Sequence, residues 1–383
     1  MEKQPPGRFR RIPRYRHKKA VLFFLLVFGV FLWYHTGTET HITALRGGGL
    51  GGTILVVGGF GFVGAGIIEG ALDQDYKVFV MDSSSAYRTP QPRHRLVTYI
   101  DSDDVSRAED EATLADAMGM VPNGVGHVIY AAGVQDNGKE RAMWDSTEGV
   151  RSVIEWCVEN RVSDFILLSS MEVCHLSDEK PNADGSAKVE ACTAPAESLL
   201  KHNKAADLTK AARKALAAEM VLETLCSASD QLRCAVLRLS DPYGPGVDDG
   251  PVASVMAKVV AGLPIDVPEL DVPRDYIHTE DVARALIQTI RHGLSKETVL
   301  HISICSGVTV SVETWARMAI ETSTTSVAVV RLPTQRDNGP GVTCDVRHAL
   351  RKISFQAAVG LEEGIMTLLP ADDEPQGFAA PGG

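Results

Sequence analysis

The chain has 383 residues, 44% of them hydrophobic and 23% charged, which fits a two-part α/β enzyme and excludes a disordered or collagen-like chain. Its net charge of −11 argues against nucleic acid as a partner of the protein body. The average hides a split, because residues 1–19 hold eight Lys/Arg against one acid, Glu2, so a tail of +7 precedes a body of −18.

The basic tail ends at Lys18 and Lys19, and the next fifteen residues, Ala20–Tyr34, carry no charge and close on Trp33 and Tyr34. As a helix this run rises roughly 22 Å. With residues 35–38 and snorkelling lysines it reaches across a hydrocarbon core of roughly 30 Å. Residues 20–38 are therefore expected to be a single transmembrane anchor. The tail would be cytosolic and the remainder would lie in the lumen of the ER or Golgi. A cleaved signal peptide and an organellar presequence are the alternatives, although the tail is long for a signal and no Ala-x-Ala site follows. Residues 39–52 (ETHITALRGGGLGG) read as a flexible stem, and 370–383 as a disordered tail.

After the stem, Thr53–Val57 is a buried-strand run leading into Gly58-Gly-Phe-Gly61-Phe62-Val63-Gly64 and a helical pattern. Gly58 permits a tight turn, Gly61 a close approach to a pyrophosphate, and Gly64 close helix–strand packing. The first-turn amides, Phe62 and Val63 among them, would face the phosphates. A second strand, Lys77–Met81, ends in Asp82, placed to accept bonds from the adenosine ribose and to repel a 2′-phosphate. The expected cofactor is NAD, with NADP less favoured despite the nearby Arg88. Strands follow at 96–100, 127–131, 165–169 and 234–239, with helical stretches between them. That alternation predicts a doubly wound parallel Rossmann sheet with ligands at the strands' carboxyl ends. Ala131, Ala132 and Gly133 end one strand with small residues where a cofactor would lie against backbone. Asp101, Asp103 and Asp104 follow another, either at the adenine edge or as a solvated loop.

The seven cysteines (157, 174, 192, 226, 234, 305, 344) show no Cys-x-x-Cys spacing, so zinc and thioredoxin-type readings have no support. An odd count leaves at least one free thiol in an oxidising compartment. Cys157 shares a helical face with Val150, Val153 and Ile154 and reads as a small core residue.

The glycine pattern, Val128-Ile-Tyr-Ala-Ala-Gly133 and Leu167-Leu-Ser-Ser-Met-Glu-Val173 resemble the extended short-chain dehydrogenases/reductases. Within them the match is to NAD-dependent nucleotide-sugar epimerases, dehydratases and decarboxylases. Leu237-Arg-Leu-Ser-Asp-Pro-Tyr-Gly-Pro-Gly246 is similar to that family's Arg-x-x-Asn-x-Tyr-Gly-Pro-Gly segment. Arg274-Asp-Tyr-Ile-His-Thr-Glu-Asp281-Val is similar to its Arg-Asp-Phe-x-x-Val-x-Asp-Val segment. The resemblance covers about residues 53–368. It implies an NAD-binding domain over 53–240, a small substrate lobe over 241–369, a nucleotide-sugar substrate and a homodimer paired through helices. It also implies catalytic roles for Ser170 and Glu172, which resemble the Thr-x-Glu of dehydratases and decarboxylases, and substrate contacts for Asp241 and Arg274.

The pattern breaks at its chemical centre. Family members remove the sugar hydroxyl proton with a Tyr tuned by a Lys one helical turn away. Aligning Glu219 with the family's Ala-Ala-Glu puts Ala211 and Ala215 at those positions, and no Tyr occurs between Tyr130 and Tyr243. Asp241 stands where the family has Asn, and Ser177–Leu208 is longer than usual there, as a lineage insertion or a gene-model error. His175, His202 and Lys204 are candidate replacement bases. Three readings stay open: an epimerase, dehydratase or decarboxylase with a displaced acid–base, an NAD-binding pseudoenzyme acting as sensor or scaffold, and a steroid- or lipid-type dehydrogenase.

Overall fold

The computed structural model describes residues 52–82, 94–101, 118–132, 147–174, 186–188, 192–202, 208–268, 271, 273–323, 325–333 and 341–370. The basic tail, the apolar segment, Arg88, Asp103, Asp104, Gly133, His175, Lys204 and residues 371–383 lie outside the described residues. Among the described residues no helix is long and apolar enough to cross a membrane.

In chain order the elements begin with β1 (Thr53–Val57), α1 (Phe62–Leu72), β2 (Lys77–Asp82), β3 (Val97–Asp101) and β4 (His127–Tyr130). They continue with α2 (Thr147–Glu159), β5 (Asp164–Ser170), a 3-10 turn at Met171–Cys174, β6 (Ser186–Lys188), α3 (Ala196–His202) and α4 (Lys210–Ser227). Next come β7 (Arg233–Leu239), β8 (Asp241–Tyr243), α5 (Gly250–Ala261), β9 (Ile265–Pro268), β10 (Arg274–His278) and α6 (Thr279–Gln288). The chain closes with β11 (Leu300–Ile304), β12 (Thr309–Val310), α7 (Val312–Ser323), β13 (Val329–Leu332), β14 (Gly341–Thr343), α8 (Val346–Ile353) and α9 (Leu361–Met366). The six strands read from the sequence fall within a residue of their observed bounds.

Seven strands form one parallel sheet in the order β11-β7-β5-β4-β1-β2-β3. Both faces are covered, which is why its central strands are continuous apolar runs. Strand alternation divides β1 between two cores. Ile54 and Val56 join Ile67 and Ile68 of α1, Val282 and Leu286 of α6 and Ile353 of α8. Leu55 and Val57 join Val150, Val153, Ile154 and Cys157 of α2 and Leu222 of α4. Cys157 is thus a buried core residue. Helices α1 and α6 approach closely because α1 presents glycine: a Cβ added to Gly70 would stand 2.5 Å from the Cβ of Ala283.

A third cluster sits apart from the sheet and joins Tyr243, Met256 and Val259 of α5, Ile265, Val267, Tyr276, Trp315 of α7 and Ile365 of α9. The two-stranded sheet β9–β13 and the three-stranded sheet β8–β10–β12 belong to this region. The chain nevertheless returns to the main sheet through β11, which pairs with β7 from Leu300↔Ala235 to Ile304↔Leu239.

Candidate active site

Two sets of residues meet at the carboxyl ends of the sheet strands. The first is the turn between β1 and α1. Gly58 has φ +82°, its N–H donates to Met81 O at 2.8 Å, and a Cβ there would lie 2.5 Å from Ala132 N. Only glycine fits both the backbone angle and the approach. A Cβ on Gly64 would lie 2.6 Å from Gly59 Cα, so α1 packs directly on the turn. A Cβ on Gly61 would meet nothing within 4 Å, so this face of the turn is open. Gly61 caps α1 without a side-chain bond, and the first intrahelical bond is Ala65 N–H to Gly61 O at 2.9 Å. The amides of 62–64 therefore have no intrahelical acceptor and sit at the positive end of the helix dipole.

The side chains of Phe62 and Val63 belong to the apolar core, so these residues offer an anion only their backbone amides. Asp82 ends β2, and its Oδ2 accepts the Phe60 N–H at 2.8 Å, so the acid also ties the turn to the neighbouring strand. Ala131 donates its N–H to Val57 O at 2.8 Å and, with Ala132, forms a small-residue wall beside Gly58. Uncapped amides, an open glycine face and an acid at the end of β2 fit a dinucleotide.

The second set is a small open cleft lined by Ser170, Met171, Glu172, Leu239, Ser240, Asp241, Arg274 and Asp275. The four residues assigned from the sequence to catalysis and substrate (Ser170, Glu172, Asp241, Arg274) all line it. Ser170 Oγ accepts the Glu172 N–H at 3.1 Å, and Glu172 Oε2 accepts the Thr209 hydroxyl at 2.8 Å. Thr209 is also the N-cap of α4, its Oγ1 accepting Ala212 N–H at 3.0 Å. Arg274 pairs with Asp241 at 3.1 Å across β10 and β8. Burial pushes the Asp241 carboxyl up, Arg274 opposes that, and the Glu172 charge adds to it. Asp275 accepts from Ser306 N–H and Oγ (both 2.9 Å), Gly307 N–H (2.8 Å) and Ser240 Oγ (3.2 Å). Burial nevertheless raises its carboxyl to about 6.

Behind the cleft Arg238 and Glu219 form a fully buried two-bond pair, at 3.1 and 2.6 Å, and Ser169 Oγ donates to Glu219 Oε1 at 2.5 Å. Ala211 lies in the first turn of α4 and Ala215 one turn on, both half-buried, with Ala215 against the apolar cluster of Val173, Cys174 and Cys192. Oxygen and nitrogen atoms of Glu219, Glu223 and His301 gather within 4.8 Å. Glu219 is engaged by Arg238, and His301 bonds Glu223 at 2.7 Å, so the group is an ion-pair network.

A family model described as the NAD dependent epimerase/dehydratase family matches residues 54–305. The chain belongs to the NAD-dependent epimerase/dehydratase family. NAD, the cofactor expected from Gly58–Asp82, is the one in the family's description. No curated protein matches the chain. Among solved structures this family member is similar to MoeE5 in complex with UDP-glucuronic acid and NAD, at 22% identity and TM-score 0.62, covering 82% of this chain and 97% of that one. It is also similar to a UDP-glucose 4-epimerase with UDP-glucose from Thermotoga maritima, at 20% identity and TM-score 0.64, with 82% and 97% covered. The Thermus thermophilus UDP-glucose 4-epimerase complexed with NAD stands at 19% and 0.64 with the same coverage. These likenesses show the Rossmann-like fold expected from the strand rhythm.

Sequence reasoning missed Thr209, Asp275 and the Arg238–Glu219 pair. A Thr before an apolar helical pattern is an N-cap signal and would have found Thr209. Asp275, Arg238 and Glu219 stand inside the quoted motifs, but nothing local gives their roles, because their partners lie 19 to 50 residues away.

Proposed function

We propose that the protein binds NAD at Gly58–Asp82 and a nucleotide sugar in the Glu172–Arg274 cleft, and that Glu172 handles the proton that family members assign to Tyr. The observation that carries this reading is that Ser170, Glu172, Asp241 and Arg274, drawn from three separate segments, line one cleft. The cofactor, when bound, supplies reversible hydride acceptance. Glu172 accepts a hydroxyl proton, and Thr209 holds its carboxylate by an O–H bond. Arg274, partly neutralised by Asp241, orients a phosphate or carboxylate of the substrate.

We extend the proposal to location. Residues 20–38 anchor the chain, the basic tail stays cytosolic and the fold lies in the ER or Golgi lumen. Supporting this are the charge split and three cysteine pairs of a kind that persists in oxidising compartments.

The test uses the full chain with NAD⁺ and a panel including UDP-glucose and UDP-glucuronic acid, following product by proton NMR. Conversion is expected, with Glu172→Gln lowering turnover by about 10²–10⁴ at unchanged NAD⁺ affinity. No conversion by protein that binds NAD⁺ overturns this reading and leaves a non-catalytic NAD-binding protein, which Ala211 and Ala215 favour.

A further inference from the structure

Six of the seven cysteines pair as Cys174–Cys192, Cys226–Cys234 and Cys305–Cys344, with Cα separations of 5.9, 6.4 and 6.2 Å, inside the range a disulfide requires. All three lie on the β5–β7–β11 side of the sheet or on the segments that leave it. The β1–β2–β3 side with its glycine turn carries none. The seventh, Cys157, is fully buried on α2, where burial keeps its thiol protonated.

Two of the bonds lie beside residues that line or support the cleft. Cys174 closes the 3-10 turn that carries Glu172. Its partner Cys192 presents its carbonyl to Arg238 Nη1 at 3.0 Å, so this bond joins the Glu172 turn to the buried Arg238–Glu219 pair. Cys305 precedes Ser306 and Gly307, whose N–H groups hold Asp275 beside Arg274. Cys305 and Cys344 pack against Met171, itself a lining residue of the cleft. The third bond joins the end of α4, the helix of Glu219 and Glu223, to the start of β7. The walls of the cleft thus come from distant segments, and two of the bonds fasten the chain that backs them: one beside the Glu172 turn, one beside the loop that holds Asp275. The glycine turn is held by backbone bonds and the Asp82 carboxylate, without a cysteine pair.

We propose that the three disulfides form in the mature protein and that Cys174–Cys192 and Cys305–Cys344 hold the cleft in its binding geometry, while the dinucleotide side stands without them. Each bond forms as two thiols give up two electrons and two protons to an external disulfide, which becomes its dithiol. Calling the cleft the substrate site rests on the functional reading above, but the bonds and their local effect do not.

The test begins with the full chain, secreted or refolded through a disulfide-exchange buffer, alkylated after denaturation without reduction and mapped by mass spectrometry. One thiol, Cys157, and the three stated pairs are expected. Seven alkylated thiols, or other pairings, overturn the proposal. Hydrogen exchange is then compared between this protein and the paired variants Cys174→Ala/Cys192→Ala and Cys305→Ala/Cys344→Ala. Amides at 171–174 and 305–307 are expected to exchange at least about tenfold faster, with those at 58–65 and NAD⁺ affinity changed less than about threefold. Equal loosening on both sides, or none, overturns it. UDP-glucose binding is measured in parallel. Protein that shows the local loosening and never binds UDP-glucose breaks the functional reading and leaves the disulfide assignment standing.

Discussion

The dinucleotide side and the cleft side of this fold are built by different means. The first is a strand, a turn and a helix that follow one another, and the groups offered to a ligand are backbone amides of 62–64 and the ends of β1 and β2. The second gathers side chains from 170–172, 209, 239–241 and 274–275, backed by Arg238–Glu219, the Asp275 bonds and, on our proposal, the pairs Cys174–Cys192 and Cys305–Cys344. A site made of backbone tolerates drift in side chains, whereas a site made of distant side chains has to be fastened. The departures from the family pattern, Ala211, Ala215 and Asp241, all fall on the fastened side.

The contrast between the two sides is sharpest at Arg238. Arg238→Met leaves Glu219 buried without its counter-charge and is expected to cost about 3–5 kcal/mol of stability. Urea unfolding checks the loss, and Arg238→Met/Glu219→Met should recover most of it. The counterpart on the dinucleotide side is Gly58→Ala. There the strain of φ +82° and the 2.5 Å approach to Ala132 N should lower NAD⁺ affinity about 100-fold, or about 2.7 kcal/mol, with the cleft undisturbed. Calorimetry measures it, and unchanged affinity would show that the turn does not meet the cofactor.

The smallest effect is a pH dependence at Asp275. Its carboxyl is raised by burial to about 6, against roughly 3.9 in an unfolded chain. The folded state therefore binds that proton more tightly. The contribution is most favourable below the unfolded value, is lost as pH rises from about 4 to about 6, and is flat above. Asp275→Asn should remove a component of order 1–2 kcal/mol across that window. Denaturation curves of both proteins at pH 4.5 and 7 supply the difference, and a constant gap at the two values would sink it.

Along the chain, the strand rhythm, the glycine turn and Asp82 were legible because each depends on residues close in sequence. Ser170, Glu172, Asp241 and Arg274 were legible only through motif resemblance, and nothing local said that they share a cleft. Spacing identifies the helix start at Phe62 and Val63 but not which way their side chains turn, and the structure buries both. Thr209 carries a capping signal, a Thr just before an apolar helical pattern. The pairing of six cysteines left no trace in their spacing.

The sequence by itself determined a parallel α/β fold with NAD as cofactor, because apolar runs, glycines and an acid at fixed offsets leave the backbone few arrangements. Only the tertiary structure decided that Arg274 faces Asp241, that Thr209 holds Glu172, and that Arg238 and Glu219 are buried together. Those contacts span from 19 to 37 residues of chain. Which partners meet over such distances depends on how helices and strands pack, through many weak contacts that no short stretch of sequence contains.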